Sequence, residues 1–340
     1  MKIIVRLLCL CFIVACSHVD GNDTAKVGIC FTGQGVKISG VANDFIEHVP
    51  SVAKRYEQVK KITNISDNDL LSGDDASLFR QGKAQQALVS VQCLIWEGIS
   101  SQHSDLHFDY VLGQSLGNYS ALFAGGAITF ENLLKFIQLR DKLTARMSSS
   151  SDQPFGMLVV QGTDLSTVKR YVNNETTFVA GLNTASCFTI SGTDSEINLL
   201  ESKLKTDKPD VKLIKLSIAT PFHTNFMEPL VDKLWDNFSV NQNLVIPVIS
   251  DATGLVYNSV SSFDKNWMKS QLTCPMRWSG NGGVCEKIKQ LGLTHLIVVG
   301  DGQGLAKMIK ENISDINVYV VSTIKHLKEA VKEIKSFRKN

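Results

Sequence analysis

Apolar positions along the chain follow two rhythms. Short apolar runs at 26–31 and 109–112 read as buried strands, whereas 84–99 and 130–147 carry apolar residues at the three-to-four spacing of amphipathic helices. Strands alternate with helices, which predicts an α/β fold with a parallel sheet. Between about 151 and 218 the rhythm changes to strand 157–161, helix 165–172, strands 177–182 and 188–191, helix 196–204 and strand 211–216. That order, β-α-β-β-α-β, is the split βαβ arrangement of ferredoxin-like units. The first pattern resumes with strands at 245–250 and 294–299, and the lysine-rich end, 325–339, is helical in period and reads as a solvated terminal helix. The expected fold is therefore a large α/β-hydrolase-like domain with a parallel sheet, residues 26–150 and 219–340, carrying an inserted small ferredoxin-like (βαββαβ) subdomain over 151–218.

Residues 1–21 stand apart from this pattern. Lys2 and Arg6 precede an apolar run at 7–15, followed by small and polar residues from Cys16 onward, which is the layout of a signal peptide. The run is shorter than the ~20 residues of a membrane-spanning helix. Ile13-Val14-Ala15-Cys16 also fits a lipoprotein cleavage box, the alternative reading of the same segment.

Composition narrows the function classes. With 340 residues, 44% hydrophobic and 20% charged, the chain can bury one large core or two smaller ones. A net charge of +2 without a basic face or stripe gives no support to nucleic-acid binding; small substrates or a protein partner fit better. Three of the eight cysteines fall in the leader, and Cys30, Cys93, Cys187, Cys274 and Cys285 are odd in number and scattered, as core thiols are. The leader implies secretory entry, yet the thiols argue against an oxidising destination. Six glycosylation sequons begin at Asn22, Asn64, Asn118, Asn174, Asn237 and Asn312. A glycan at Asn118 would block the chemistry read nearby, so the protein is expected to fold before that site is modified or to reach a reducing organelle.

That chemistry centres on Ser115, in Val-Leu-Gly-Gln-Ser-Leu-Gly-Asn-Tyr at 111–119. A glycine two positions before and two after a serine, between a strand and a helix, is the spacing of a nucleophile elbow, although a tight turn with an incidental serine has the same pattern. The backbone N–H groups of Gln34, in the turn after the first strand, and of Leu116 could stabilise an oxyanion. Among seven histidines, His223 in Thr-Pro-Phe-His-Thr, just past a strand, is the best candidate base, though a lone loop histidine is more often structural. Arg140, if it points inward, would clamp a carboxylate with its two-pronged fork. His103 and His107 have helical metal-ligand spacing but no further ligand pattern, and no CxxC or HExxH occurs, so no metal site is expected.

Together, Phe-Thr-Gly-Gln-Gly at 31–35, the elbow at 113–117, Gln-Leu-Arg at 138–140, Pro-Phe-His at 221–223, Gln271-Leu272 followed by Pro-Met-Arg-Trp at 275–278, and Val-Gly-Asp-Gly at 299–302 resemble the malonyl-CoA:acyl carrier protein transacylase family in order and spacing. The resemblance runs from about residue 26 to the C-terminal helix. It implies Ser115 as nucleophile, His223 as general base, the Gln271 main-chain carbonyl orienting the imidazole, Gln34 and Leu116 as oxyanion donors, and Arg140 on the malonyl carboxylate. It further implies acyl carrier protein and a coenzyme A thioester as partners, malonyl-CoA as substrate, no cofactor, no nucleic acid, and a monomer. An acidic carrier calls for a basic rim, with Lys54, Arg55, Lys60, Lys61, Arg80 and Lys83 as candidates. Four positions depart from the family pattern: Gln114 for histidine, Asn118 for glutamate, Gln86 for proline and Cys187 for glutamine. The competing readings are a serine hydrolase or thioesterase, and a non-catalytic homologue that binds carrier protein or coenzyme A. The expected location is an apicoplast-type plastid reached by the secretory route, with mitochondrion or bacterial envelope lipoprotein as alternatives.

Overall fold

The computed structural model describes residues 25–240 and 243–337; the leader lies outside them. Eleven strands occur among these residues: β1 (Val27–Phe31), β2 (Tyr110–Gly113), β3 (Phe155–Gln161), β4 (Thr177–Thr184), β5 (Cys187–Thr193), β6 (Lys212–Leu216), β7 (Val248–Ile249), β8 (Val256–Tyr257), β9 (Met276–Arg277), β10 (His295–Val299) and β11 (Asn317–Val321). They form a six-stranded sheet in the order β11-β10-β1-β2-β7-β8 and a five-stranded sheet in the order β6-β3-β5-β4-β9.

The first sheet is parallel except for its β7–β8 edge pair. All five residues of β1 are buried, because helices cover both faces, and period-two alternation divides them. Ile29 and Phe31 join the core under helix Ala84–Gln102 and helix Phe130–Ser149. Cys30, with Leu112 and Val298, joins a second core on the opposite face. Strand order reverses at β1, which has β2 on one side and β10, from far later in the chain, on the other. The carboxyl ends of strands at such a switch point are where open α/β sheets place ligands.

In the second sheet the elements between Phe155 and Leu216 follow the expected β-α-β-β-α-β order. Leu158 and Val160 of β3 face two helices and pack with Ile197 and Leu200. Met157 and Val159, on the alternate face, look into a cleft beside the large sheet. A fifth strand, β9, comes from the large domain's part of the chain and pairs with β4 through Gly181↔Met276 and Leu182↔Arg277.

Two expectations change. The strand expected at 245–250 shortens to Val248–Ile249, since Pro247 has no N–H and the N–H groups of Val245 and Ile246 donate to the Gly125 carbonyl instead. The terminal helix, Ile324–Phe337, is not merely solvated: Leu327, Ala330, Val331 and Ile334 form a buried stripe in the main core.

Candidate active site

β2 ends at Gly113 and helix Gly117–Ala124 begins four residues later, so the chain must reverse in very little space. A side chain at position 113 would put its Cβ 2.1 Å from the Gly117 carbonyl carbon, and one at 117 would lie 2.3 Å from the Phe31 carbonyl oxygen. Both glycines are thus imposed by backbone packing. Between them Ser115 sits in the left-handed region, at φ 50°, a conformation that costs a non-glycine residue and recurs where function requires it.

The strained turn aims Ser115 Oγ at His223 Nε2, 2.7 Å away. His223 is itself at φ 62°, and its backbone N–H donates to Leu272 O at 2.9 Å, which pins the loop. On the other side of the ring, Nδ1 lies 2.9 Å from the Cys274 carbonyl. A carbonyl only accepts, so the proton belongs on Nδ1 and Nε2 is left bare toward the serine hydroxyl. Burial pushes the imidazole down to about 4, against the raising effect of the Cys274 bond, and the positive charge of Arg140 lowers it further. At neutral pH the ring is an uncharged proton acceptor.

Gln34 lines the same cleft, a cavity of about 150 Å³ walled by Met157, Val159, Leu216 and Ile218. Leu116 caps the next helix, and the following three N–H groups donate to Gln114, Ser115 and Leu116 carbonyls. Arg140 is 2% exposed and does not line this cavity. It sits one side chain back: its guanidinium lies 4.6 Å from the Phe222 ring centre and 5.5 Å from that of Tyr119. Phe222, the neighbour of His223, faces the cavity and an adjoining one of about 380 Å³. Arg140 Nη1 donates to Gln85 Oε1, while its Nε has no partner. A buried charged donor left open is costly, and an anionic ligand would complete it.

The acyl transferase domain family matches residues 29–259. The chain belongs to that family. It is 25% identical over 324 residues to the malonyl CoA-acyl carrier protein transacylase of Bacillus subtilis (strain 168), covering 93% of this chain and 99% of the relative. The protein of the same name from Synechocystis sp. is 25% identical over 301 residues, 86% and 96% of the two chains. Among solved structures, the malonyl-CoA:acyl carrier protein transacylase of Helicobacter pylori superposes with a TM-score of 0.81 at 22% identity, over 92% and 99% of the chains. A malonyl-transacylase in complex with a type II PKS acyl-carrier protein gives 0.80 at 21%, over 91% and 100%.

Within this acyl transferase domain one expected contact is corrected. The carbonyl on His223 Nδ1 belongs to Cys274, not Gln271. Helix Lys265–Thr273 ends there, and Cys274, extended at φ −90° and ψ 148°, turns its carbonyl out of the helical ladder. Gln271 instead is buried, with Nε2 donating to Ser250 Oγ at 3.0 Å. The basic rim is also dispersed: Arg55 pairs with Glu97 at 2.9 Å and borders a separate hollow with Thr129 and Phe130. Phe79 and Gly82 line the larger cavity, but their chain neighbours Arg80 and Lys83 do not: Arg80 pairs with Asp74 at 3.7 Å and Lys83 Nζ donates to Asn64 O at 3.2 Å.

Three buried side chains escaped the sequence reading. Gln92 donates through Nε2 to Thr32 O at 2.7 Å and Thr32 Oγ1 at 3.0 Å, bracing the turn that leads to Gln34. Asp141 accepts from Gln86 N at 2.9 Å, at the start of helix Ala84–Gln102; burial pushes its carboxyl up to about 7. Asp251 accepts from Ser115 N at 2.6 Å and from Asn118 Nδ2 at 2.6 Å. Its position just past a parallel strand, beside the one that carries the elbow, was the available signal. Among the described residues, no group of three or more His, Cys, Asp and Glu side chains could hold a metal ion.

Proposed function

We propose that this acyl transferase domain moves a malonyl group from malonyl-CoA to the phosphopantetheine thiol of an acyl carrier protein, in fatty acid synthesis, through an acyl-serine intermediate. The observation that carries this reading is the 2.7 Å contact between Ser115 Oγ and a bare, buried His223 Nε2, with an unsaturated Arg140 guanidinium behind Phe222. The names of the two bacterial relatives support the substrate, and they span nearly all of this chain.

In the first half-reaction Ser115 Oγ attacks the thioester carbonyl and His223 Nε2 takes its proton. The oxyanion is met by the N–H groups of Gln34 and Leu116. The carbon–sulfur bond then breaks, and the coenzyme A sulfur leaves with the proton from His223. In the second, the carrier thiol gives its proton to His223 and its sulfur attacks the acyl-serine; Ser115 Oγ departs and recovers the proton. Arg140, which lies behind Phe222 and outside the cavity, takes the free carboxylate once the Phe222 ring moves aside.

Incubation with radiolabelled malonyl-CoA, followed by proteolysis and mass spectrometry, is expected to show one malonyl ester, on Ser115, that added carrier protein discharges. No adduct would favour a binding-only homologue; an adduct lost to water as fast as to carrier would favour a hydrolase.

The pH dependence follows from the histidine. The base works only when unprotonated, and burial keeps it so down to about 4. Adduct formation should therefore stay level as pH falls from 8 to about 5 and decline only as pH approaches 4. A rate that halves near 6.5, the ordinary histidine value, would show that the ring is not desolvated as described.

We further propose that the protein enters the secretory route through its leader and works in a reducing, plastid-like organelle. The five described cysteines are all unpaired, and Asn118, 1% exposed with its amide donating to Ser115 O and Asp251, is closed to glycosylation once folded.

A further inference from the structure

The base of this site has no carboxylate partner, since His223 Nδ1 rests on a main-chain carbonyl. A carboxylate is nevertheless present, on the other side of the nucleophile. Asp251 is completely buried, and its two oxygens are used separately: Oδ2 takes the backbone N–H of Ser115 and Oδ1 takes the side-chain amide of Asn118, both at 2.6 Å. Asn118 Nδ2 also donates to Ser115 O at 3.0 Å. Both backbone polar atoms of Ser115 are thus held by one two-residue clamp, at the residue whose φ of 50° the chain would otherwise relax.

The clamp is anchored from outside the elbow. Asp251 follows β7, whose Ile249 is in register with Leu112 of β2, so the two carboxyl ends lie side by side. Its own carbonyl accepts from Arg277 N at 2.7 Å, tying it to β9. Burying a carboxylate without a cation costs stability, and burial raises this one to about 6 although Ser115 N–H, the Asn118 amide and the Trp278 indole all pull it down. A purely structural turn could satisfy one N–H with a neutral acceptor at less cost.

We propose that Asp251, through Asn118, is the positioning residue of the nucleophile: the pair holds Ser115 in its left-handed conformation so that Oγ stays in line with His223 Nε2. The orienting acid of this site acts on the serine backbone. It does not act on the imidazole. The clamp also explains why asparagine suits position 118, since a second carboxylate there would face the first.

The inference rests on the acyl-serine reading, and the test separates the two. Single-turnover acylation with malonyl-CoA is measured for wild type, D251N, N118D and the double variant, with thermal unfolding of each. In D251N the new carbonyl can still accept from Ser115 N–H, but the new NH2 then meets Asn118 Nδ2, and Asn118 can pair with it only by flipping its amide and releasing Ser115 O; in N118D two carboxylates meet. Each single variant is expected to lose about a hundredfold in acylation rate, the cost of misplacing a reacting atom by roughly an ångström, with little change in malonyl-CoA KM. In the double variant the amide at 251 can donate to the carboxylate at 118, and at least tenfold of the rate should return. Wild-type rates in D251N, a change confined to KM, or a double variant as slow as the product of the single losses would overturn the proposal. If D251N does not fold, N118A, which leaves the Ser115–Asp251 bond in place, is read by the same split between rate and KM. Absence of a Ser115 adduct in wild type would instead overturn the acyl-serine reading itself.

Discussion

Replacing Ser115 with alanine is expected to lower malonyl transfer by on the order of 10⁴ to 10⁶-fold, and His223→Ala should fall nearly as far. The two side chains act as one unit: the hydroxyl is a weak nucleophile until Nε2 takes its proton, and Nε2 has no other proton to take at 2.7 Å. For that reason the double variant should be hardly slower than either single one. The adduct separates the roles, because S115A has no atom to acylate, whereas H223A retains the hydroxyl and should acquire label slowly. Transfer by S115A at even a hundredth of the wild-type rate would mean that the acyl group never resides on this serine.

Arg140→Ala is expected to cost roughly a thousandfold in kcat/KM for malonyl transfer while leaving acetyl transfer within a few-fold. An anion whose buried cation is removed loses about 4 kcal/mol, and 1.36 kcal/mol corresponds to a factor of ten. The selectivity arises because malonyl carries a free carboxylate beyond its thioester and acetyl carries none. Arg140 is prepared for it: Gln85 and the faces of Phe222 and Tyr119 hold the guanidinium, and Nε still lacks an acceptor. Arg140→Lys keeps the charge without the fork and should fall between the two. Parallel kcat/KM measurements with malonyl-CoA and acetyl-CoA decide the matter, and equal losses on both would remove the carboxylate from the account. Unfolding midpoints are needed alongside, because the alanine also leaves Gln85 Oε1 unpaired and opens a cavity beneath Phe222.

The elbow was legible because its spacing is local. Gly113, Ser115 and Gly117 fall within five consecutive residues, although the room at Gly117 is set by the distant Phe31 carbonyl, and the apolar runs of β1, β2 and β10 are buried on both faces, so each declares itself in a short stretch of sequence. His223 was legible as a candidate, but its partner was not. Which carbonyl meets Nδ1 depends on where helix Lys265–Thr273 stops, and helix ends are the least determined feature of a sequence pattern. Asp251 was hidden for another reason: a strand was expected at 245–250, just before it, but no local pattern shows that this strand lies beside β2, which is what brings the carboxylate to Ser115 N. The terminal helix misled because lysines dominate its composition while four apolar residues at helical spacing determine its packing.

The β9 pairing ties the two sides of the candidate site together. Cys274, whose carbonyl sets the tautomer of His223, stands two residues before Met276, and Met276 is hydrogen-bonded into the small sheet beside Gly181. The serine belongs to one sheet, and the group that aligns its base is stitched to the edge of the other. The same short strand also reaches the serine: the Arg277 N–H donates to the carbonyl of Asp251, whose carboxylate takes the Ser115 N–H, so two adjacent residues of one edge strand stand behind both halves of the Ser115–His223 contact.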